Sequence, residues 1–204
     1  MCQIKQKFAL HDFPLYFQLG LTHILDWQGY DHILFVMALC GVYAWQDWRK
    51  LLILVTAFTI GHSLTLALSV FNLIPVSVSL IEFLIPITIV ITSLVNILRK
   101  NQNQSSWLFT YLLTLLFGLI HGMGFSNYLR SLLGNEILGP LLAFNVGLEV
   151  GQLAIVVVTL TLSYFILNWF RASRREWNLF LSSAIFGIAF TMSVERFSAL
   201  FFNR

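Results

Sequence analysis

Residues 51–71 read LLILVTAFTIGHSLTLALSVF, and His62 is the one ionisable side chain in an otherwise apolar or hydroxyl-bearing run. A helix of about 20 mostly apolar residues is long enough to cross the hydrocarbon core of a bilayer, which is about 30 Å thick. The stretch therefore predicts a membrane-spanning helix. An ionisable residue inside such a helix is costly unless it is paired, so His62 is a candidate functional residue.

The composition of the whole chain is that of an integral membrane protein. Of its 204 residues, 58% are hydrophobic and only 10% are charged, whereas soluble domains have about 25% charged residues. We expect one membrane domain, residues 1–204, embedded in a lipid bilayer. The net charge of +3 is too small, and too confined to loops, to indicate nucleic-acid binding. Cys2 and Cys40 lack the CxxC spacing of a zinc knuckle.

Six mostly apolar stretches, separated by short polar breaks, predict an all-α bundle of six transmembrane helices. They cover approximately residues 30–45, 51–71, 77–98, 107–126, 140–169 and 177–201. The first is short, so it either starts earlier, within residues 13–26, or follows a segment that dips into the bilayer and folds back. Residues 1–28 lack the apolar core and cleavage site of a signal peptide. We expect them to be retained as an interfacial or re-entrant segment.

Basic residues in the loops predict the orientation. The loops between spans carry seven Lys or Arg on one side and only Arg130 on the other; the seven are Arg49, Lys50, Arg99, Lys100, Arg171, Arg174 and Arg175. Because Lys and Arg are enriched in cytoplasmic loops, we expect both termini outside. The expected location is the inner (cytoplasmic) membrane of a bacterium.

Several spans place a histidine or a carboxylate at a similar depth, roughly 16 to 22 Å from the inner face at a rise of about 1.5 Å per residue. Imidazole and carboxylate groups are donors that bind divalent transition metals such as nickel, cobalt or zinc. The predicted metal ligands are Asp31, His32, His62, His121, Glu149 and Glu82. Asp31 is either a ligand itself or orients a histidine by accepting its other ring proton.

Three neutral polar residues are expected around these ligands. Asn145 and Gln152 share a helix face with Glu149, because residues four or seven apart point the same way. Ser63 follows His62 directly. The amides either support the ligands or form hydrogen bonds between helices.

Two further histidines precede the predicted spans. His11 and His23 lie in the N-terminal segment. They are either ordinary interfacial histidines or, on the outer side, a mouth that collects ions for the site.

Four blocks of sequence, in order along the chain, resemble the HupE/UreJ family of membrane proteins. The blocks are GYDHILF (29–35), TAFTIGHSLTLA (56–67), FGLIHGMGF (117–125) and AFNVGLEVGQ (143–152). Members of this family are associated with nickel or cobalt supply, so the resemblance implies secondary permeation of a metal ion. It also implies functional roles for Asp31, His32, His121 and Gly122.

Two main functions fit this set of residues. The first is secondary transport of a divalent ion, nickel or cobalt above all, driven by the membrane potential or by proton exchange, because no GxxxxGK[ST] loop for ATP is present. The second is an intramembrane zinc-dependent hydrolase, in which three histidines hold zinc and Glu149 or Glu82 activates water with help from Ser63. A structural or accessory metal-binding role is a third possibility.

Overall fold

The computed structural model describes residues 13–27, 29–71, 73, 77–99, 107–132 and 138–202, and within these ranges the chain is helical, with no strand. Seven α-helices follow one another: α1 Phe13–Ile24, α2 Asp31–Cys40, α3 Trp48–Val70, α4 Val78–Leu98, α5 Trp107–Leu132, α6 Leu138–Trp169 and α7 Arg174–Phe202. A 3-10 turn, Trp45–Asp47, leads into α3.

Five of these helices are long and apolar enough to cross a membrane. The candidate spans are Trp45–Ser69, Val78–Leu98, Leu108–Phe125, Leu138–Trp169 and Arg174–Phe201. Each coincides closely with one of the five spans predicted from residue 51 onward. The prediction of a multi-pass, all-helical membrane protein is confirmed.

The first predicted span, residues 30–45, is not a continuous crossing. Its helix, α2, has 10 residues and is about 15 Å long, which is half of the hydrocarbon core. The preceding helix α1 packs along α6, and residues 1–12 lie outside the described part of the chain. The structure therefore does not confirm six continuous spans or an interfacial N-terminal segment.

Glycines bring α3 and α5 into backbone contact. A Cβ atom on Gly61 would meet a backbone carbonyl of α5, and one on Gly118 would meet the carbonyl oxygen of Phe58. One turn further along α5, Gly122 packs on the carbonyl of His62. Small residues at such contacts allow membrane helices to approach closely. Because residue numbers rise together along the contact, the two helices are parallel.

The same kind of contact joins α1 to α6. A Cβ atom on Gly147 would meet the carbonyl oxygen of Phe17, and one turn further along α6 Gly151 packs against Ile24. Gly20 of α1 lies equally close to the backbone of α6. These two helices are also parallel.

The two parallel pairs run in opposite directions. Helix α5 ends at Leu132 and α6 begins at Leu138. Six peptide steps reach at most about 22 Å, which is shorter than α5, whose 26 residues extend about 39 Å. Helix α6 must therefore run back along the bundle. We call the end of the bundle at which α3 begins the near end, and the opposite end the far end.

Helix α2 packs between the other helices and ends at the near end. It contributes Val36 to one cluster of buried apolar side chains and Phe35 to the other. The Asn96 amide donates a hydrogen bond to the carbonyl of Ala38 over 2.7 Å, and the Asn178 amide donates to the carbonyl of Asn96. Such bonds between helices resist sliding where lipid offers no competing partner. They fix the C-terminal end of α2 against α4 and α7.

The glycine contact of α3 with α5 predicts a stability difference between two otherwise similar substitutions. We expect Gly118→Ala to destabilise the protein by about 1–3 kcal/mol, because the added Cβ meets backbone and the two helices must separate. Gly187→Ala on α7 is the matched control, since nothing lies within 4 Å of its added Cβ. Alanine there improves helix propensity by up to about 1 kcal/mol. Thermal unfolding in detergent measures both, and equal midpoints would contradict the close approach.

Candidate metal site

Four histidines from four helices converge inside the bundle. His23, His32 and His62 each offer one ring nitrogen, and these three atoms lie within 4.8 Å of one another. The His121 ring lies beside them, with its centroid 5.0 Å from that of His32. Nitrogens bound to one ion at about 2 Å lie up to about 4 Å apart. Small shifts would thus let the first three imidazoles share a single cation.

Glycine contacts between helices place three of these side chains. Each histidine lies within one turn of a glycine that packs on a neighbouring backbone: His62 after Gly61, His121 before Gly122 and His23 after Gly20. The fourth imidazole, that of His32, lies in the first turn of α2. The site therefore sits where both parallel helix pairs meet the start of α2.

Neighbouring oxygens orient two of the rings. The Nδ1 of His32 lies 3.0 Å from Asp31 Oδ1, which also accepts the His32 backbone N–H over 2.8 Å. The Nδ1 of His121 donates to the carbonyl of Phe117 over 2.9 Å. A proton on Nδ1 leaves the lone pair on Nε2, the arrangement that metal-binding histidines adopt with an oxygen acceptor behind them. In this structure Asp31 therefore accepts a hydrogen bond from the His32 ring and orients it.

Five ring nitrogens of the four histidines have no hydrogen-bond partner in the described part of the chain. They are Nε2 of His23, His32 and His121, and both ring nitrogens of His62. His32, His62 and His121 are 4%, 0% and 1% exposed. Each buried polar atom left unsatisfied costs about 1–3 kcal/mol. A cation that accepts one lone pair from each imidazole would remove most of that cost, while the second nitrogen of a neutral His62 carries its proton.

Aromatic rings enclose the imidazoles. Phe58 and Phe144 stack against His62, with centroids 6.1 and 6.3 Å from it. Phe125 lies over His23 at a centroid distance of 3.9 Å. These rings provide an apolar surrounding, in which electrostatic interactions are stronger than in water. We call the imidazoles of His23, His32, His62 and His121 together with these rings the histidine cage.

One side of the cage is open to a cavity at the break between α1 and α2. The cavity has a volume of about 570 Å³ and is lined by His23, Asp26, Trp27 and Phe125, among others. His23 is half-buried and lies between this cavity and the inner imidazoles. An ion that approached through the cavity would meet His23 first.

The predicted ligand Glu149 does not join the imidazoles. Its carboxylate accepts a hydrogen bond from the Thr56 hydroxyl over 2.6 Å. One turn along, the hydroxyl of Thr59 donates to Gln152 Oε1 over 2.9 Å. Both pairs join α3 to α6. Gln152 therefore forms an interhelical hydrogen bond, one of the two roles open to it from sequence.

Glu82 is also placed elsewhere. It pairs with Arg196 of α7 over 2.9 Å, and the side chains are 45% and 50% exposed, respectively. The described cluster of metal-binding groups contains His23, His32 and His62 and no carboxylate. The structure thus brings together His32, His62 and His121, with Asp31 behind His32, but not Glu82 or Glu149.

The remaining predicted residues fall into three situations. Asn145 is partly buried, and its Oδ1 has no hydrogen-bond partner in the described residues. The Ser63 hydroxyl donates to the carbonyl of Thr59 over 2.6 Å and so does not contact the His62 ring nitrogens. His11 lies outside the described residues.

These placements give no support to the hydrolase alternative. That mechanism needs a carboxylate beside the metal to activate water. Glu149 is bound by Thr56, Glu82 is paired with Arg196, and Ser63 is engaged by its own helix. None of the three groups is available next to the imidazoles.

Sequence reasoning underrated His23, which it treated as an interfacial residue or a mouth. The structure instead places His23 in the cluster, 4.9 Å from His32 between ring centroids. A signal was present in the sequence: Gly20-Leu-Thr-His23 repeats the pattern of Gly118-Leu-Ile-His121. The repeat marks His23 as a counterpart of His121.

Comparison with known families identifies this chain. A family model described as HupE / UreJ protein matches residues 2–198. No curated protein and no solved structure matches the chain. Because the family match extends over nearly the whole sequence, the chain belongs to the HupE / UreJ family.

Proposed function

We propose that this protein is a secondary transporter of a divalent transition-metal ion, nickel or cobalt, and that the ion passes through the histidine cage. The observation that carries the proposal is the set of three buried ring nitrogens, from His23, His32 and His62, within 4.8 Å of one another in a multi-pass membrane bundle. Family membership points to the same chemistry.

The donor set suits an ion that has to leave again. Imidazole binds nickel, cobalt and zinc, whereas thiolates hold soft ions more firmly. Cys40 is buried but is not part of the described cluster.

The break between α1 and α2 supports transport. Helix α1 is parallel to α6, which runs toward the near end, and α2 also ends there, where Asn96 binds Ala38. The two short helices thus run in one direction and make up a sixth, interrupted crossing. Interrupted helices line the ion sites of many transporters, because unwound backbone and helix ends face the substrate. The C-terminal end of α1, next to His23, carries a partial negative charge that favours a cation, whereas the partial positive charge at the N-terminal end of α2 is opposed by Asp31.

The driving force can come from the membrane itself. We place the near end, with its seven basic loop residues, in the cytoplasm of a bacterium, and both termini outside. The membrane potential contributes about 2.3 kcal/mol per elementary charge per 100 mV. A divalent cation would be drawn inward, so uptake is the favoured direction.

Replacement of His62 tests transport directly. We expect the wild-type protein in liposomes to pass radiolabelled Ni²⁺ or Co²⁺, and His62→Ala to reduce the flux at least tenfold, because one of three shared ligands is lost. His62→Gln provides a second variant of similar volume if the alanine variant is unstable. Thr161→Ala, on an exposed hydroxyl of α6, is the control and should retain flux. Absence of flux through the wild-type protein would refute the proposal.

Two carboxylate-to-amide substitutions separate the role of Asp31 from that of Glu82. Asp31→Asn weakens the acceptor that fixes the His32 ring, and loss of such support typically lowers metal affinity about 10–100-fold. Glu82→Gln removes a carboxylate that pairs with Arg196, and affinity should change by less than about twofold. Titration of the purified variants with Ni²⁺ measures both, and an equal loss in the two would place Glu82 back among the ligands.

A further inference from the structure

The chain contains two copies of a two-helix pattern. A helix with the sequence G-L-x-H occurs twice, at residues 20–23 in α1 and 118–121 in α5. A helix with the sequence A-F-x-x-G also occurs twice, at residues 57–61 in α3 and 143–147 in α6. The order along the chain is the same in both copies: the first pattern, then the second.

Helices of one copy pack on helices of the other copy. Each G-L-x-H helix packs on the A-F-x-x-G helix of the other copy, with matching contacts. The contacts are Gly20 on the carbonyl of Phe144 and Gly118 on that of Phe58, then Gly147 on that of Phe17 and Gly61 on that of Leu115. Phe17 and Leu115 each lie three residues before the glycine of their own pattern. The two copies therefore resemble each other in packing geometry as well as in sequence.

The copies are inverted with respect to the membrane. The α1/α6 pair and the α3/α5 pair are each parallel within the pair and run in opposite directions to each other. A half turn about an axis in the plane of the membrane relates such pairs. Inverted repeats of this kind underlie alternating access in many transporters, whose substrate site lies between the repeats.

The imidazoles follow the repeat. His23 and His121 are equivalent, and the His32 ring is nearly equidistant from both, at centroid distances of 4.9 and 5.0 Å. His23 and His121 each contact the A-F-x-x-G phenylalanine of the helix on which their own helix packs. The ring centroids are 5.7 Å apart for His23 and Phe144 and 5.1 Å apart for His121 and Phe58. His32 thus belongs to both halves.

The repeat is broken at one position that bears on the ion. His62 directly follows the glycine of its A-F-x-x-G pattern, and the equivalent residue in α6 is Leu148, which is fully buried. One half-site consequently offers three imidazoles, from His23, His32 and His62. The other offers two, from His32 and His121, whose Nε2 atoms both lack a partner in the described residues.

We propose that the transported ion occupies these two half-sites in turn, a strong one of His23, His32 and His62 and a weak one of His32 and His121. The proposal rests on the transport function above and gives its mechanism. His32 remains bound while the ion passes from one half-site to the other, and the two inverted helix pairs open toward opposite faces of the membrane. Because Leu148 stands where a third imidazole would be, the weak half-site binds the ion with lower affinity. Release is therefore favoured from that half-site.

The two half-sites are separated by comparing binding with flux. His62→Ala should weaken Ni²⁺ binding to the purified protein and reduce Ni²⁺ flux into liposomes, each at least tenfold. His121→Ala should leave Ni²⁺ affinity within about threefold of wild type but reduce flux at least tenfold, because the ion is held and not passed on. His121→Gln repeats the test with a side chain of closer volume, and thermal unfolding in detergent shows that each variant is folded.

A second substitution restores the broken repeat. Leu148→His should add a ligand to the weak half-site, raise Ni²⁺ affinity and slow flux at saturating Ni²⁺. Leu148→Gln is the matched control, since an amide of similar size is a poor ligand for Ni²⁺ and should not raise affinity.

Three outcomes would overturn the mechanism. If His121→Ala weakens binding as much as His62→Ala, all four imidazoles form one site, and transport stands while the two-step passage fails. If His121→Ala leaves flux unchanged, His121 is not on the path. If the wild-type protein binds Ni²⁺ but passes none, the transport function fails together with this mechanism.

Discussion

The structure depends on burying imidazole nitrogens for which the described residues provide no hydrogen-bond partner. His32, His62 and His121 are almost completely enclosed, and their inward ring nitrogens lack partners in the described residues. In a bilayer no water compensates for them, so the fold carries this cost unless something else binds there. Phe58, Phe125 and Phe144 surround the imidazoles with apolar surface that offers no hydrogen-bond partner. A bound cation would remove most of the cost of the unsatisfied nitrogens, and its departure would restore that cost. The site therefore suits an ion that binds only temporarily.

Helix packing by glycine makes the convergence possible. The contacts at Gly61, Gly118 and Gly147 bring backbones together so closely that a Cβ atom would collide with a carbonyl group. Without these close approaches, side chains from four helices would be too far apart to share an ion. The same contacts join the two helices of each pair closely, whereas hydrogen bonds of Asn96 and Asn178 hold α2 at its near end. The imidazole of His32, at the opposite end of α2, lies where the two helix pairs meet.

Hydropathy was sufficient to predict the spans from residue 51 onward, because length and apolar composition alone determine whether a helix can cross. It could not predict that α2 stops after 10 residues, since apolar residues such as Val42, Ala44 and Trp45 continue beyond its C-terminal end. Estimates of depth singled out His32, His62 and His121, which the structure brings together, and also Glu82 and Glu149, which lie elsewhere. Depth along a helix does not specify which face a residue occupies or which helix lies opposite. Glu82 pairs with Arg196, and Glu149 accepts a hydrogen bond from Thr56. Both contacts depend on which helices are neighbours, which a single sequence does not reveal.

The scarcity of carboxylates near the cage has a consequence for release. A divalent cation held by neutral imidazoles, with Asp31 as the nearest acid, keeps a net positive charge in a region of low dielectric. Each further carboxylate ligand would offset one positive charge, and at an effective dielectric constant near 20 one charge pair at 4 Å is already worth about 4 kcal/mol. An ion bound so firmly would leave slowly. The hydrogen bond to Thr56 and the pairing with Arg196 keep both glutamates engaged elsewhere, so the balance of charge favours passage over storage.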